Sequence, residues 1–240
     1  MNALVIDCAV SKLCIAAKKE NQTVKLCLDI GTKQSEKILP AIDYVLKEAD
    51  LTPALLDYTA VTLGPGTFTG LRLGLSALKA LNLANGTPLY GIPSLKAYAL
   101  SYKSAIETVL SVIEEKEDQY FYSFYARGEE LIEPSDGSIE EILKQIDPEN
   151  SVLVCGPGAK DFVERVNETT PLFSLHTFLP QNDASENLFT IAEQMIRDKV
   201  QPMQDYDGPL YVRKSEAEIV LEKKQGEAAS SEAGKTCSGQ

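Results

Sequence analysis

The chain has 240 residues, 44% of them hydrophobic, and a formal net charge of −12; this is enough for one large domain or two small ones with a sizeable core. So acidic a chain repels a phosphate backbone over most of its surface, which excludes strong nucleic-acid binding by this chain alone. No apolar run approaches the roughly 18 residues needed to span a bilayer, and Met1 to Asp7 lacks the basic start of a signal peptide, so a cytoplasmic location away from membranes is expected.

In chain order, Leu4–Ile6, Leu13–Ala17 and Val24–Leu28 read as three short strands, the last two parted by the turn-formers Glu20-Asn21-Gln22. A helix is expected from about Lys33 to Ala49, because Ile38, Leu39, Ile42, Val45, Leu46 and Ala49 recur at the helical period. Tyr58–Leu63 is a strand, followed by a glycine-rich turn and a helix from about Gly70 to Ala84. Leu89–Ile92 is a short strand, and Pro93 is expected in the first turn of another helix. Thr108–Ile113 and Tyr120–Tyr125 are strands, Glu140–Ile146 a short helix, and Val152–Val154 a strand running into Cys155-Gly156-Pro157-Gly158-Ala159 and a further helix. Asn187–Val200 is a last amphipathic helix. Strands come first in each half and then alternate with helices, which predicts an α/β fold of two related lobes, each a mixed sheet flanked by helices. The expected division is 1–104, a reduced second lobe over 105–215, and a mobile tail over 216–240, whose Lys, Glu, Ala, Gly and Ser bury too little surface to offset the entropy of ordering.

Cys8, Cys14, Cys27, Cys155 and Cys237 are odd in number and show no metal or redox spacing. They are expected to be small buried hydrophobes in a reducing compartment. His176 is the one histidine, so zinc and iron sites are not expected. No Gly-x-Ser-x-Gly elbow and no pairing of nucleophile with base is visible.

The most informative stretch is Leu63-Gly64-Pro65-Gly66-Thr67-Phe68-Thr69-Gly70-Leu71-Arg72-Leu73-Gly74. It reads as strand, tight turn and helix start, with Thr67 or Thr69 as the cap. Such a loop is either a structural turn or a phosphate-binding one; it is not a Walker loop, since no Lys-Ser or Lys-Thr follows the glycines. The helix after it leaves only Arg72, Ser76, Lys79 and Asn82 as a polar stripe, so it is either buried within its own lobe or covered by another chain. Asp7, at a strand end, is a candidate for holding a metal-bound nucleotide or simply a turn aspartate. Gly156 and Gly158 could lie against an adenine or only form a turn.

The opening strand to Asp7, Ile38-Leu39-Pro40, the Gly64–Arg72 string, Tyr90-Gly91-Ile92-Pro93-Ser94-Leu95 and Pro209-Leu210-Tyr211-Val212-Arg213 together resemble the bacterial TsaB (YeaZ) family. The likeness is strong over 1 to about 100, weaker over 105–200 and absent in the tail. It implies an actin-like ATPase (ribonuclease H-like) fold and a non-catalytic helper that binds and activates the paralogous transferase TsaD, which threonylcarbamoylates the adenosine beside the tRNA anticodon. An ATPase, TsaE, would join the pair, and tRNA would be met only indirectly. TsaD carries a His-x-x-x-His metal pair in its first helix; Lys33-Gln34-Ser35-Glu36-Lys37 stands here without histidine. The resemblance also implies pairing through the first two helices, which places Gly70, Leu71, Gly74, Leu75, Leu78 and Leu81 at a partner surface, with Ile38 and Ile42 on a helix turned mostly to the core. Homodimerisation through the same surface is expected of the lone chain. No cofactor of its own is expected; a nucleotide, touching Asp7, Thr67, Gly156 and Gly158, would bind only in a complex. The alternative reading is an independent actin-like ATPase or kinase.

Overall fold

A computed structural model describes residues 1–104, 108–170, 172–177 and 183–212. Three strands, β1 (Ala3–Asp7), β2 (Lys12–Lys19) and β3 (Gln22–Asp29), form an antiparallel meander. Asp7 stands opposite Cys14, and Cys14 opposite Cys27. Helix α1 (Gln34–Glu48) crosses over to β4 (Tyr58–Gly64), which pairs parallel with β1. Helix α2 (Phe68–Asn85) ends at Gly86, whose left-handed φ of 70° supplies the stop, and leads to β5 (Leu89–Pro93), parallel to β4. The strand order is β3-β2-β1-β4-β5.

Alternation along the strands divides this sheet between two layers. Leu4, Ile6, Leu13 and Ile15 face α1 and α2, where Ile38, Ile42, Val45, Leu46, Leu75 and Leu78 complete one apolar cluster. The opposite face carries Asp7 and Tyr58 and meets two further helices, α3 (Ser94–Ala99) and α6 (Ser185–Arg197).

The second sheet repeats the plan with smaller parts. Its elements are β6 (Thr108–Lys116), β7 (Gln119–Ala126), β8 (Glu129–Glu130), β9 (Ser135–Ser138), α4 (Ile139–Leu143), β10 (Val152–Cys155), α5 (Ala159–Thr169) and β11 (Leu175–His176). The order is β11-β10-β6-β7-β8, with β9 also on β7. Leu110, Val112, Tyr120, Tyr122, Phe162 and Val166 fill its core under α4 and α5. Ser138 and Glu141 close a reciprocal capping box that starts α4. Two mixed sheets of this topology, each flanked by helices, make the actin-like α/β fold.

Several sequence expectations need correction. Helix α6 packs on the first sheet, touching β1, β2, β4 and β5, although 105–215 assigned it to the second lobe. Its polar anchors to the first sheet lie far away in sequence, so the chain order hides them. The chain then continues along the first sheet: Met203 N–H donates to Leu89 O and Leu210 N–H to Leu63 O, each at 2.8 Å. Pro93 closes β5 and stands at the α3 N-cap rather than inside its first turn. Strands β8, β9 and β11 were not expected; two have only two residues, too short to show alternation. Arg213 and the tail over 216–240 lie outside the described residues.

Candidate functional site

The glycine-rich turn is built by close approach of two backbones. Thr67 N–H donates to Ala9 O at 2.7 Å, and a Cβ on Gly66 would overlap that same carbonyl. Gly64, at φ 126° and followed by cis-Pro65, donates its N–H to Ser94 Oγ at 3.2 Å, and a Cβ on it would strike the Leu210 carbonyl. The turn is therefore held between the chain after β1 and the segment ending at Leu210. Thr67 occupies the N-cap position of α2, but its hydroxyl makes no cap bond.

Asp7 is the buried charge of the first sheet, 2% exposed. Its carboxylate accepts from Ala184 N–H at 2.8 Å, Tyr98 O–H at 3.0 Å and Ala9 N–H at 3.3 Å. Burial raises its pKa, and the three donors oppose that rise. With its oxygens so occupied, Asp7 cross-links β1, α3 and α6. It does not line the cleft of about 340 Å³ formed by Val10, Ser11, Lys12, Asp29, Thr67, Glu114, Pro157 and Gly158.

Of the four candidate nucleotide residues, the structure brings Thr67 and Gly158 together in this cleft and leaves Asp7 and Gly156 outside it. Gly156, at φ 95°, is pressed against Val112 O, so its lack of a side chain serves the β10–β6 junction. Sequence reasoning missed Ser11, Lys12, Asp29 and Glu114. Lys12 and Asp29 are register partners, and counting outward from the Glu20-Asn21 turn would have paired them. The cleft presents two carboxylates against one ammonium, with Glu114 also 3.6 Å from Arg165.

The expected partner residues also need correction. Leu71, Leu75, Leu78, Ile38 and Ile42 are buried within the chain. A Cβ on Gly70 would strike Cys8 O, and one on Gly74 would strike Cys8 Sγ, so these glycines bring α2 close to its own β1. Leu81 is partly buried against the same core. A helix apolar nearly all round had left its inner face undetermined. The outward face instead carries Thr69, Arg72, Ser76, Ala80, Leu83 and Ala84, with Leu83 85% exposed. On α1, Leu39 is 65% exposed and Tyr44 49%.

Cys14 and Cys27 are not independent thiols: their sulfurs are in disulfide contact. With Asp183 they are the one group of metal-ligating side chains gathered among the described residues. His176 is exposed on β11, with Nε2 3.1 Å from Ser174 Oγ.

Comparison with known proteins adds the following. Residues 30–221 match the family model described as TsaD, tRNA N6-adenosine threonylcarbamoyltransferase. The chain is 30% identical over 133 residues to the tRNA threonylcarbamoyladenosine biosynthesis protein TsaB of Buchnera aphidicola, a match covering 54% of this chain and 62% of that protein. It is 29% identical over 183 residues to an uncharacterized protein of Mycobacterium bovis, covering 76% of each. YeaZ from Pseudomonas aeruginosa superposes with a TM-score of 0.69 at 20% identity, over 88% of this chain and 99% of that one.

Proposed function

The chain belongs to the TsaD family, and from that premise we propose that it is a TsaB-like, non-catalytic subunit of threonylcarbamoyladenosine biosynthesis that binds and activates the TsaD transferase. The observation that carries the reading is the outward face of α2. In a chain of net charge −12, this face offers Ser76, Ala80, Leu83 and Ala84, with one cation, Arg72, and no carboxylate. Small residues let a second helix approach closely, and Leu83 supplies an apolar anchor. An association of standard size buries about 800 Å² per partner, and Leu39 and Tyr44 are exposed apolar side chains on α1.

The division of labour follows from the chemistry on each side. With His176 the only histidine in the sequence, no pair of imidazoles can hold a metal in α1. Asp7 is engaged by three donors, and the cleft is acidic. The transferase would supply metal, substrate site and most contacts to tRNA, TsaE would act on the assembled pair, and a nucleotide would enter the cleft only when a partner contributes cations. Alone, the same outward face would pair with its copy.

The test is size exclusion with light scattering on the chain mixed with the TsaD of the same organism. The expected result is a heterodimer from the wild-type chain, and separate peaks from Leu83→Asp with an unchanged circular dichroism spectrum. A heterodimer that survives Leu83→Asp, Ala80→Glu and Leu39→Asp together would remove this face from the interface. The alternative reading is an independent actin-like ATPase that uses the cleft beside Lys12 and Thr67. Turnover of ATP by the pure chain, lost when Lys12 and Thr67 are replaced, would establish it.

A further inference from the structure

Asp7, Cys14 and Cys27 stand opposite one another across β1, β2 and β3, so their side chains form one row on the sheet face that meets α6. The Cα atoms of Cys14 and Cys27 are 4.1 Å apart, which is the close kind of antiparallel pair. Their sulfurs are in disulfide contact, so the pair is already placed for a bond between them.

The two cysteines differ in access. Cys14 is 1% exposed, whereas Cys27 is half-buried on β3, the edge of the first sheet. Asp183 completes the cluster, its carboxylate and both sulfurs lying within 4.8 Å of one another. That carboxylate is fixed by Ser185 N–H at 3.1 Å, by the Ser185 hydroxyl and by Lys25 Nζ at 3.3 Å. The next residue, Ala184, is the one that holds Asp7. Cys8 and Cys155 offer a contrast inside the same molecule: both are fully buried, and burial pushes each thiol up to about 12, which keeps them protonated and unreactive.

We propose that Cys14 and Cys27 are a reversible thiol–disulfide site that exchanges with low-molecular-weight disulfides of the glutathione class, locking the β2–β3 edge hairpin when oxidised. The accessible Cys27 thiolate attacks one sulfur of the small disulfide, forming a mixed disulfide and expelling one thiolate. The Cys14 thiolate then attacks the Cys27 sulfur and expels the second. Two electrons pass from the protein dithiol to the small disulfide, which leaves as two thiols carrying the two protons; excess small thiol reverses both steps. Closing the pair ties an edge strand, which otherwise has neighbours on one side only, to the interior of the sheet.

The sequence makes the test direct. Trypsin cuts after Lys12, Lys18, Lys25 and Lys33, releasing Leu13–Lys18 and Leu26–Lys33 with one cysteine each. The full-length chain would be equilibrated with mixtures of reduced and oxidised glutathione, quenched in acid, alkylated, digested and weighed. The expected result is a linked Leu13–Lys18/Leu26–Lys33 pair that rises and falls with the glutathione ratio, while Cys8 and Cys155 stay unlinked. Amide exchange over 22–29 should slow roughly tenfold or more on oxidation. Cys14→Ser should stop at a glutathione adduct on Cys27, a readout that a merely packed cysteine would not produce. Three results would overturn the proposal: both thiols free at every ratio, a link that no excess of thiol opens, or a reduced chain that carries one equivalent of zinc on Cys14, Cys27 and Asp183 and resists oxidation.

Discussion

The two faces of the first sheet are held by different forces. On one, α1 and α2 lie on Leu4, Ile6, Leu13 and Ile15 mainly through apolar side chains, with Gln34 of α1 donating to the Val10 and Ser11 carbonyls and Lys79 of α2 to those of Gln204, Asp205 and Asp207. On the other, α3 and α6 are tied down by polar bonds that span the chain. Ala184 and Tyr98 reach Asp7, Lys18 and Tyr58 reach Glu193, Lys25 reaches Asp183, and Asn187 Nδ2 donates to Ala97 O at 2.7 Å. The first face is tolerant, because apolar contacts are non-directional and can repack. The second is exacting, because each buried polar group left without its partner costs the full price of desolvation.

The largest effect should come from placing a charge under the apolar face. Leu78 is fully buried, so Leu78→Asp should cost more than about 4 kcal/mol and leave the chain largely unfolded in urea titration. Leu83→Asp, five residues on and facing outward, should stay within about 0.5 kcal/mol of wild type. Equal destabilisation by the two would mean that the outer side of α2 is also packed by this chain.

Next comes Asp7. Removing the carboxylate in Asp7→Ala strands Ala9 N–H, Ala184 N–H and Tyr98 O–H in the interior and should cost about 2–4 kcal/mol, with α6 loosened first in amide exchange. Asp7→Asn isolates the charge. Burial raises the folded-state pKa of Asp7 above the ordinary 3.8, so the folded state holds its proton more tightly than the unfolded one. Its contribution to stability is complete below 3.8 and is lost as pH rises through the folded value. Wild type should therefore lose stability relative to Asp7→Asn as pH rises from 3.8. A constant gap between the two urea midpoints would show that the three donors cancel the cost of burial.

The contrast between the faces also explains what the sequence disclosed. The helices at 34–48 and 68–85 follow from periodic apolar residues, and the turn at Gly64–Gly70 from its glycines, because those signals are local. That Leu78 faces in and Leu83 out did not follow, since α2 is apolar on nearly every side and the choice rests on Cys8 lying against Gly74. The placement of α6 was equally illegible: its bond to Asp7 spans 177 residues, and nothing local marks Ala184 as a donor. Cys14 and Cys27 were readable in principle, since counting strand positions outward from the turn at Glu20 pairs them. Their separation of 13 residues along the chain shows no motif spacing; the pairing exists only across the hairpin.

The smallest effect tests whether the polar face owes stability to charge as well as to hydrogen bonding. Glu193 Oε1 accepts from Lys18 Nζ at 2.7 Å and Tyr58 O–H at 3.1 Å. Partial burial pulls the Glu193 pKa upward, but Lys18 and Tyr58 outweigh it and leave the group below its ordinary 4.5. A lowered carboxylate pKa means the opposite sign from Asp7: the stabilisation is complete above 4.5 and is lost as pH falls through the folded value. Glu193→Gln keeps an oxygen for Tyr58 and removes the charge facing Lys18. It should cost about 1 kcal/mol at pH 7, and the difference from wild type should vanish well below pH 4.5. Because Lys18 and Glu193 are 23% and 19% exposed, salt should screen this loss only weakly. If added salt removes the difference at pH 7, the ion pair behaves as a surface pair, and the bonds to Asp7 carry the hold on α6.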